Sequence, residues 1–174
     1  LRRPRSIRRR ALLALASRPR WFAAASDFAR GLGLRRLAAW FPDPPRRWLG
    51  LVPPAAGPEP QSLARRPAGA TRGRVGLFLG CVAREADGAV HDATAGVLAA
   101  LGYEVVCPEG QGCCGAMHLH AGLAEEAGRL ADANRRAFAG LRLDAIVVSA
   151  TGCGAVLREP ASGLLGPGDD GGSR

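Results

Sequence analysis

Tyr103-Glu-Val-Val-Cys107-Pro108-Glu-Gly-Gln-Gly-Cys113-Cys114-Gly115 is the stretch that decides the reading of this chain. A short run of strand-forming residues meets a proline and then a glycine-rich turn holding two adjacent cysteines. Two apolar runs of the same length flank it, Val75-Gly-Leu-Phe-Leu79 before and Ala145-Ile-Val-Val-Ser149 after. Compact apolar runs bounded by turn residues suit strands buried on both faces. Between them lie helical spacings. Val90, Thr94, Val97, Leu98 and Leu101 share one face of a helix that Gly102 caps. A second helix is predicted over about 116–139, carrying Leu119, Leu123, Ala127, Leu130, Ala131, Asn134 and Phe138. Another helix begins near Ala155 and reaches Arg158. Strand–helix–strand–helix–strand with short connections predicts right-handed crossovers and a small parallel sheet with helices on both faces, an α/β architecture.

Outward from this block the chain changes character. Residues 1–74 carry 17 arginines against Asp27, Asp43 and Glu59, a net charge of +14. Residues 75–174 carry seven arginines against 12 acids, a net of −5, and contain all five cysteines. The predicted division is therefore a basic helical arm over 1–52, a Pro/Gly-rich linker over 53–73, the cysteine-rich domain over 74–158 and a disordered tail over 159–174. In the arm, Leu34, Leu37 and Phe41 mark a short amphipathic helix stopped by Pro42, Pro44 and Pro45. Leu12, Leu15, Trp21 and Phe22 mark an earlier helix interrupted near Pro19. Arginine interleaved with tryptophan reads first as a packing arm with solvated charges. Peripheral contact with an anionic membrane is the secondary reading, and no nucleic-acid motif is present.

Several classes are excluded by size and composition. The 174 residues suffice for one core of ordinary size. No apolar run approaches the ~20 residues of a membrane-spanning helix. Ala11–Ala16 is too short for a secretory h-region, and a cytoplasmic location is expected. Five cysteines are too few for a disulfide scaffold, and an odd count suits a reduced compartment. Leu1 in place of Met is expected to mark an internal start, so the chain reads as a fragment.

Cysteine placement points to a cofactor. Cys81 follows the first predicted strand, Cys113 and Cys114 follow the second, and Cys153 follows the third. In a parallel sheet these turns share the edge outside the carboxyl ends of the strands, where such sheets hold ligands. All four have glycine neighbours, Gly80, Gly112, Gly115, Gly152 and Gly154, which permit close backbone approach and bare N–H groups near sulfur. Cys107, between Val106 and Pro108, lacks them and reads as a small buried hydrophobe. Four converging thiolates suit an iron–sulfur cluster, since adjacent Cys113 and Cys114 cannot easily bite one tetrahedral ion. Zinc and redox-active thiols are the other readings of the same set.

Gly80-Cys81, Pro108-Glu-Gly-Gln-Gly-Cys-Cys-Gly-Ala-Met-His-Leu-His-Ala-Gly122 and Thr151-Gly-Cys-Gly-Ala155 together resemble the cysteine-rich CCG-domain family. That family includes heterodisulfide reductase subunits, lactate-utilisation proteins and the iron–sulfur subunit of glycolate oxidase, and the last is the nearest likeness. The resemblance spans about residues 74–158. It implies a 4Fe–4S cluster on Cys81, Cys113, Cys114 and Cys153, in an electron-transfer subunit of a glycolate (2-hydroxy acid) oxidase or dehydrogenase. Flavin-containing subunits would do the substrate chemistry, and electrons would pass toward a membrane acceptor. Such a subunit is not catalytic alone. A ferredoxin-type domain and a second CCG domain, which the family's subunit carries, do not occur here and would be separate partners. Val156 stands where the heterodisulfide reductase form has the last cysteine of a Cys-x-x-Cys, which weighs against that form's five-cysteine cluster. A heterodisulfide-reductase-like or lactate-utilisation-like subunit with a thiol/disulfide site is the alternative.

The remaining polar residues are quieter. His118 and His120 read first as residues packing at a helix start, and second, with Gly115 and Gly154, as contacts around the cluster. Asp87, Glu125, Glu126 and Asp132 read as solvated acids, and Asn134 as a packing or hydrogen-bonding residue.

Overall fold

The computed structural model describes residues 7–43, 47, 49, 52–53 and 58–159. The expected tail lies almost wholly outside the described residues, as do parts of the arm and linker. Three strands form one sheet: β1 (Gly73–Phe78), β2 (Tyr103–Val106) and β3 (Ala145–Val148). Their order is β2-β1-β3 and both pairings are parallel, with Val75 opposite Val105 on one side and Ala145 on the other. The predicted small parallel sheet is present, with each strand within about two residues of its predicted bounds.

Alternation along the central strand builds two cores. Val75, Leu77 and Leu79 point to one face, where they pack with Leu63, Ala95, Val105 and Cys107. Phe78 points to the other, with Phe138, Leu157 and Cys114. The rings of Phe78 and Phe138 lie 6.3 Å apart. Gly76 has no room for more: a Cβ there would stand 2.8 Å from Leu143 Cδ1 and 2.9 Å from Phe138 Cε1. Burying each large apolar side chain contributes roughly 1.5–3 kcal/mol.

The helices fall on both faces, but not always as the spacing predicts. In chain order they are α1 (Ile7–Ser17), α2 (Pro19–Gly31), α3 (Leu34–Leu37), α4 (Val82–Ala86), α5 (Gly88–Ala100), α6 (Ala116–His120), α7 (Ala124–Phe138) and α8 (Thr151–Arg158). The face of α5 named by Val90, Val97 and Leu101 is the outer one: Val97 is 59% exposed. The buried face is His91 and Ala95, with Leu98 against the core. Alanines at many positions make every face of this helix apolar, so spacing alone does not choose the inner one. The single helix predicted over 116–139 is two. Gly122, at φ 72, ends α6, and its N–H bonds to Leu119 O while Leu123 N–H bonds to His118 O. This doubly bonded glycine cap stops a helix whatever apolar spacing follows it. Helix α7 then starts afresh with Glu125 and Glu126 in its first turn and Arg135 and Arg136 in its last, matching the helix dipole.

In the arm, α2 is a full helix that the apolar spacing does not reveal. It opens with Pro19 at its first position, where proline is tolerated. It packs on α1 and on α4 of the cysteine-rich part. Within the Pro/Gly-rich 53–73 segment, Leu63 is fully buried in the core. Arg65 exchanges both backbone hydrogen bonds with Val105 (3.1 and 2.8 Å), covering the free edge of β2. No helix among the described residues is long and apolar enough to cross a membrane.

Replacing Leu77 by Ala is expected to cost about 2–5 kcal/mol, whereas Val97→Ala on the outer face of α5 should shift stability by no more than about 0.5 kcal/mol. Urea unfolding of the two variants checks both, and equal losses would contradict the assignment of α5's buried face.

Candidate metal centre

Parallel pairing brings the chain after β1, after β2 and after β3 to one rim. After β1 comes Leu79-Gly80-Cys81, with Cys81 capping the start of α4. After β2, the loop 107–115 carries Cys113 and Cys114. After β3, Cys153 sits in the first turn of α8, which begins at Thr151, four residues earlier than the spacing indicates. A Cβ on Gly80 would lie 3.5 Å from Cys153 Sγ, so the first and third connections touch.

Two amides fix the middle loop. Gln111 Oε1 accepts the Leu79 N–H at 2.7 Å, and its Nε2 donates to Leu77 O and Pro108 O, both at 3.1 Å. It staples the loop to the end of β1. Asn134, fully buried on α7, accepts the Gly112 N–H through Oδ1 and donates through Nδ2 to Cys113 O, both at 2.8 Å. Gly115 (φ 88) lets the loop press on α7: a Cβ there would meet Ala127 O at 3.1 Å and Ala127 Cα at 3.2 Å. Asn134 thus has the hydrogen-bonding role expected of it. Gln111 is absent from the residues that spacing singles out, although a lone amide between two glycines in a loop leaving a strand is a visible sign.

The sulfurs meet in a row. Cys113 donates to Cys81 and to Cys114, and Cys153 donates to Cys114. Cys81, Cys113 and Cys114 are buried and Cys153 is half-buried. Hydrogen bonding from Cys113 holds the Cys81 thiol below its ordinary value, aided by the Val82 amide and opposed by burial. Hydrogen bonds from Cys113 and Cys153 pull Cys114 down to about 3, with the Ala116 amide adding to them. Cys113 and Cys153, the donors, are pushed up by holding their protons toward Cys114 and by burial. Gly115 N–H lies 3.4 Å from Cys113 Sγ. The row is not a cage around one point: among the described residues no group of three or more His, Cys, Asp or Glu side chains is arranged to hold a single metal ion.

Cys107 stays out of the row. It is buried in the opposite core, with Gln111 Nε2 at 3.4 Å and Leu77 O at 3.6 Å from its sulfur. Burial pushes its thiol up to about 11. His118 is buried with Nδ1 unpartnered, and His120 is exposed. Gly154 N–H is spent on Ala150 O at 2.9 Å inside α8, so it is not a bare donor.

The description "Cysteine-rich domain", CCG, is that of the family model matching residues 75–158. Residues 75–158 belong to the CCG cysteine-rich family. The CCG domain and its approach are 36% identical over 107 residues to the "Probable glycolate oxidase iron-sulfur subunit" of Bacillus subtilis (strain 168), covering 59% of this chain and 24% of that one. They are 37% identical over 86 residues to a subunit of the fumarate reductase (CoM/CoB) of Methanothermobacter marburgensis, covering 49% of this chain and 17% of that one. The chain therefore spans a quarter or less of the length of these relatives. No solved structure gives a significant match.

The CCG domain's packing can be tested at two side chains. Asn134→Ala leaves Gly112 N–H and Cys113 O without partners, at a cost of about 1–3 kcal/mol for each group that stays buried, read by urea unfolding. Cys107 has a folded pKa raised above that of the unfolded chain, so its stabilisation holds below pH 9 and fades as pH rises toward about 11. That loss, on the order of 2–3 kcal/mol, should be missing from the pH–stability profile of Cys107→Val.

Proposed function

We propose that this chain is an iron–sulfur electron-transfer subunit of a glycolate (2-hydroxy acid) oxidase or dehydrogenase complex. One observation carries the reading: thiols from three separate connections touch at a single buried rim, while the fifth cysteine is kept in another core. The donor set fits an iron–sulfur cluster by its chemistry. It is all sulfur, Cys81 and Cys114 are poised as thiolates, and the Val82, Gly115 and Ala116 amides reach the sulfurs. Adjacent Cys113 and Cys114 suit a cofactor with several metal positions.

Cys81, Cys113, Cys114 and Cys153 would hold the cluster, of the 4Fe–4S type. When bound, it supplies storage and release of one electron at a time. The residues of the chain do the rest. Phe78 and Leu157 keep one flank of the rim dry, Asn134 and Gln111 hold the paired cysteines in place, and backbone amides offset negative charge on sulfur. His118, with its unpartnered Nδ1, is assigned a contact around the cluster. Oxidation of the substrate is assigned to flavin-containing subunits, and electrons leave toward a membrane acceptor, through a ferredoxin-type domain or second CCG domain. Trp21, Phe28 and Trp40, exposed among the arm's arginines, support contact with partner subunits or with a membrane surface. The similarity to the Bacillus subtilis protein supports the glycolate reading. The similarity to the Methanothermobacter protein supports the alternative, a redox subunit with a thiol/disulfide site.

Anaerobic reconstitution should give a brown protein with about four irons and four sulfides per chain, by the stoichiometry of the cluster. Cys114→Ser should lower that content and Cys107→Ser should not. A colourless wild-type protein, or one zinc per chain, would overturn the proposal.

A further inference from the structure

His91 is 0% exposed in the first turn of α5 and lies outside the cysteine set. It sits where two cysteine-bearing connections adjoin. On one side its Nδ1 is 3.3 Å from Ser149 Oγ. Ser149 follows β3 and precedes Ala150, whose carbonyl accepts the Gly154 N–H at 2.9 Å and so opens α8, the helix of Cys153. On the other side lie the carbonyls of Leu79 and Ala83, two residues before and two after Cys81. They are near enough to favour the charged ring, yet Nε2 has no hydrogen-bond partner.

An imidazole is a costly choice for this place. The neighbouring inward residues of α5 are Ala95 and Leu98, and burying two ring nitrogens with only one partnered costs free energy that an aliphatic side chain would not. What the imidazole adds is a rigid polar link between two segments that no backbone ladder joins at this level, since β1 and β3 pair only as far as Phe78 and Val148. Burial holds the ring's pKa below its ordinary value, which keeps Nδ1 available to accept the Ser149 hydroxyl. Cys113 and Cys114 have a separate support in Gln111 and Asn134.

We propose that His91 is a positioning residue that fixes Cys81 relative to Cys153 by linking the connection after β1 to the start of α8. Its purpose rests on the cluster reading above, but the link itself is a property of the protein chain and is testable without iron.

The test is anaerobic alkylation of the reduced, iron-free chain with iodoacetamide, with the rate at each cysteine followed by mass spectrometry. His91→Leu fills the space without the link, and it should raise the rates at Cys81 and Cys153 several-fold while leaving Cys113 and Cys114 unchanged. His91→Asn, whose amide oxygen can stand where Nδ1 stands, should restore the wild-type pattern. After reconstitution, His91→Leu should retain less iron than wild type and show an altered electron paramagnetic resonance spectrum of the reduced protein, both corrected by His91→Asn. Unchanged rates in His91→Leu, or an equal rise at all four cysteines, would overturn the proposal. Should His91→Leu fail to fold by circular dichroism, Ser149→Ala removes the same hydrogen bond, and unchanged alkylation of Cys153 in that variant would overturn it equally. A wild-type chain that takes up no iron while the alkylation pattern holds would end the cluster reading and leave the link standing.

Discussion

Parallel pairing of a central strand with two neighbours is the constraint on which the rest of this structure depends. With β1 in the middle, three connections must leave the sheet at the same end. Cysteines up to 72 positions apart in the chain are thereby delivered to one rim, without any local ligand motif. An antiparallel arrangement of the same strands would send alternate connections to opposite ends. The sheet is small, so its authority over the rim comes from burial on both faces: Leu77 and Leu79 on one side, Phe78 with Phe138 and Leu157 on the other.

Bringing thiols together in a dry place creates an electrostatic problem. A buried thiolate is unfavourable unless hydrogen bonds meet it. Here Cys81 and Cys114 are met by neighbouring thiols and by the Val82 and Ala116 amides. Those amides open α4 and α6, so the placement of each cysteine just before a helix is part of the solution. The supports are arranged by loop: Gln111 and Asn134 for the paired cysteines, His91 between the other two connections. Cys107 shows the contrast. It carries the same thiol, lacks thiol neighbours, and burial drives it toward the neutral form.

Much of this is legible in the sequence. Three runs such as Val75–Leu79, separated by helical spacings, give the sheet, and the position of each cysteine relative to those runs gives the rim. What is not legible has physical causes. Helix α6 ends at Gly122 because a glycine cap outweighs continuing apolar spacing. The buried face of α5 is hidden because alanines make all its faces apolar, and a histidine, ordinarily polar, occupies the innermost position. Helix α2 is obscured because its exposed face also carries Trp21 and Phe28, which blurs the amphipathic signal. Leu63 is lost among the prolines around it, although its burial makes that stretch part of the core. Gln111 and His91 act through groups brought close only by the fold.

Four sulfurs from three connections gripping one iron–sulfur cluster can be observed directly by iron K-edge X-ray absorption on the anaerobically reconstituted chain. The spectrum should show sulfur-only first-neighbour scattering together with an iron–iron distance, both lost or altered in Cys153→Ser. Iron surrounded by nitrogen or oxygen, or an iron spectrum indifferent to Cys153, would contradict it.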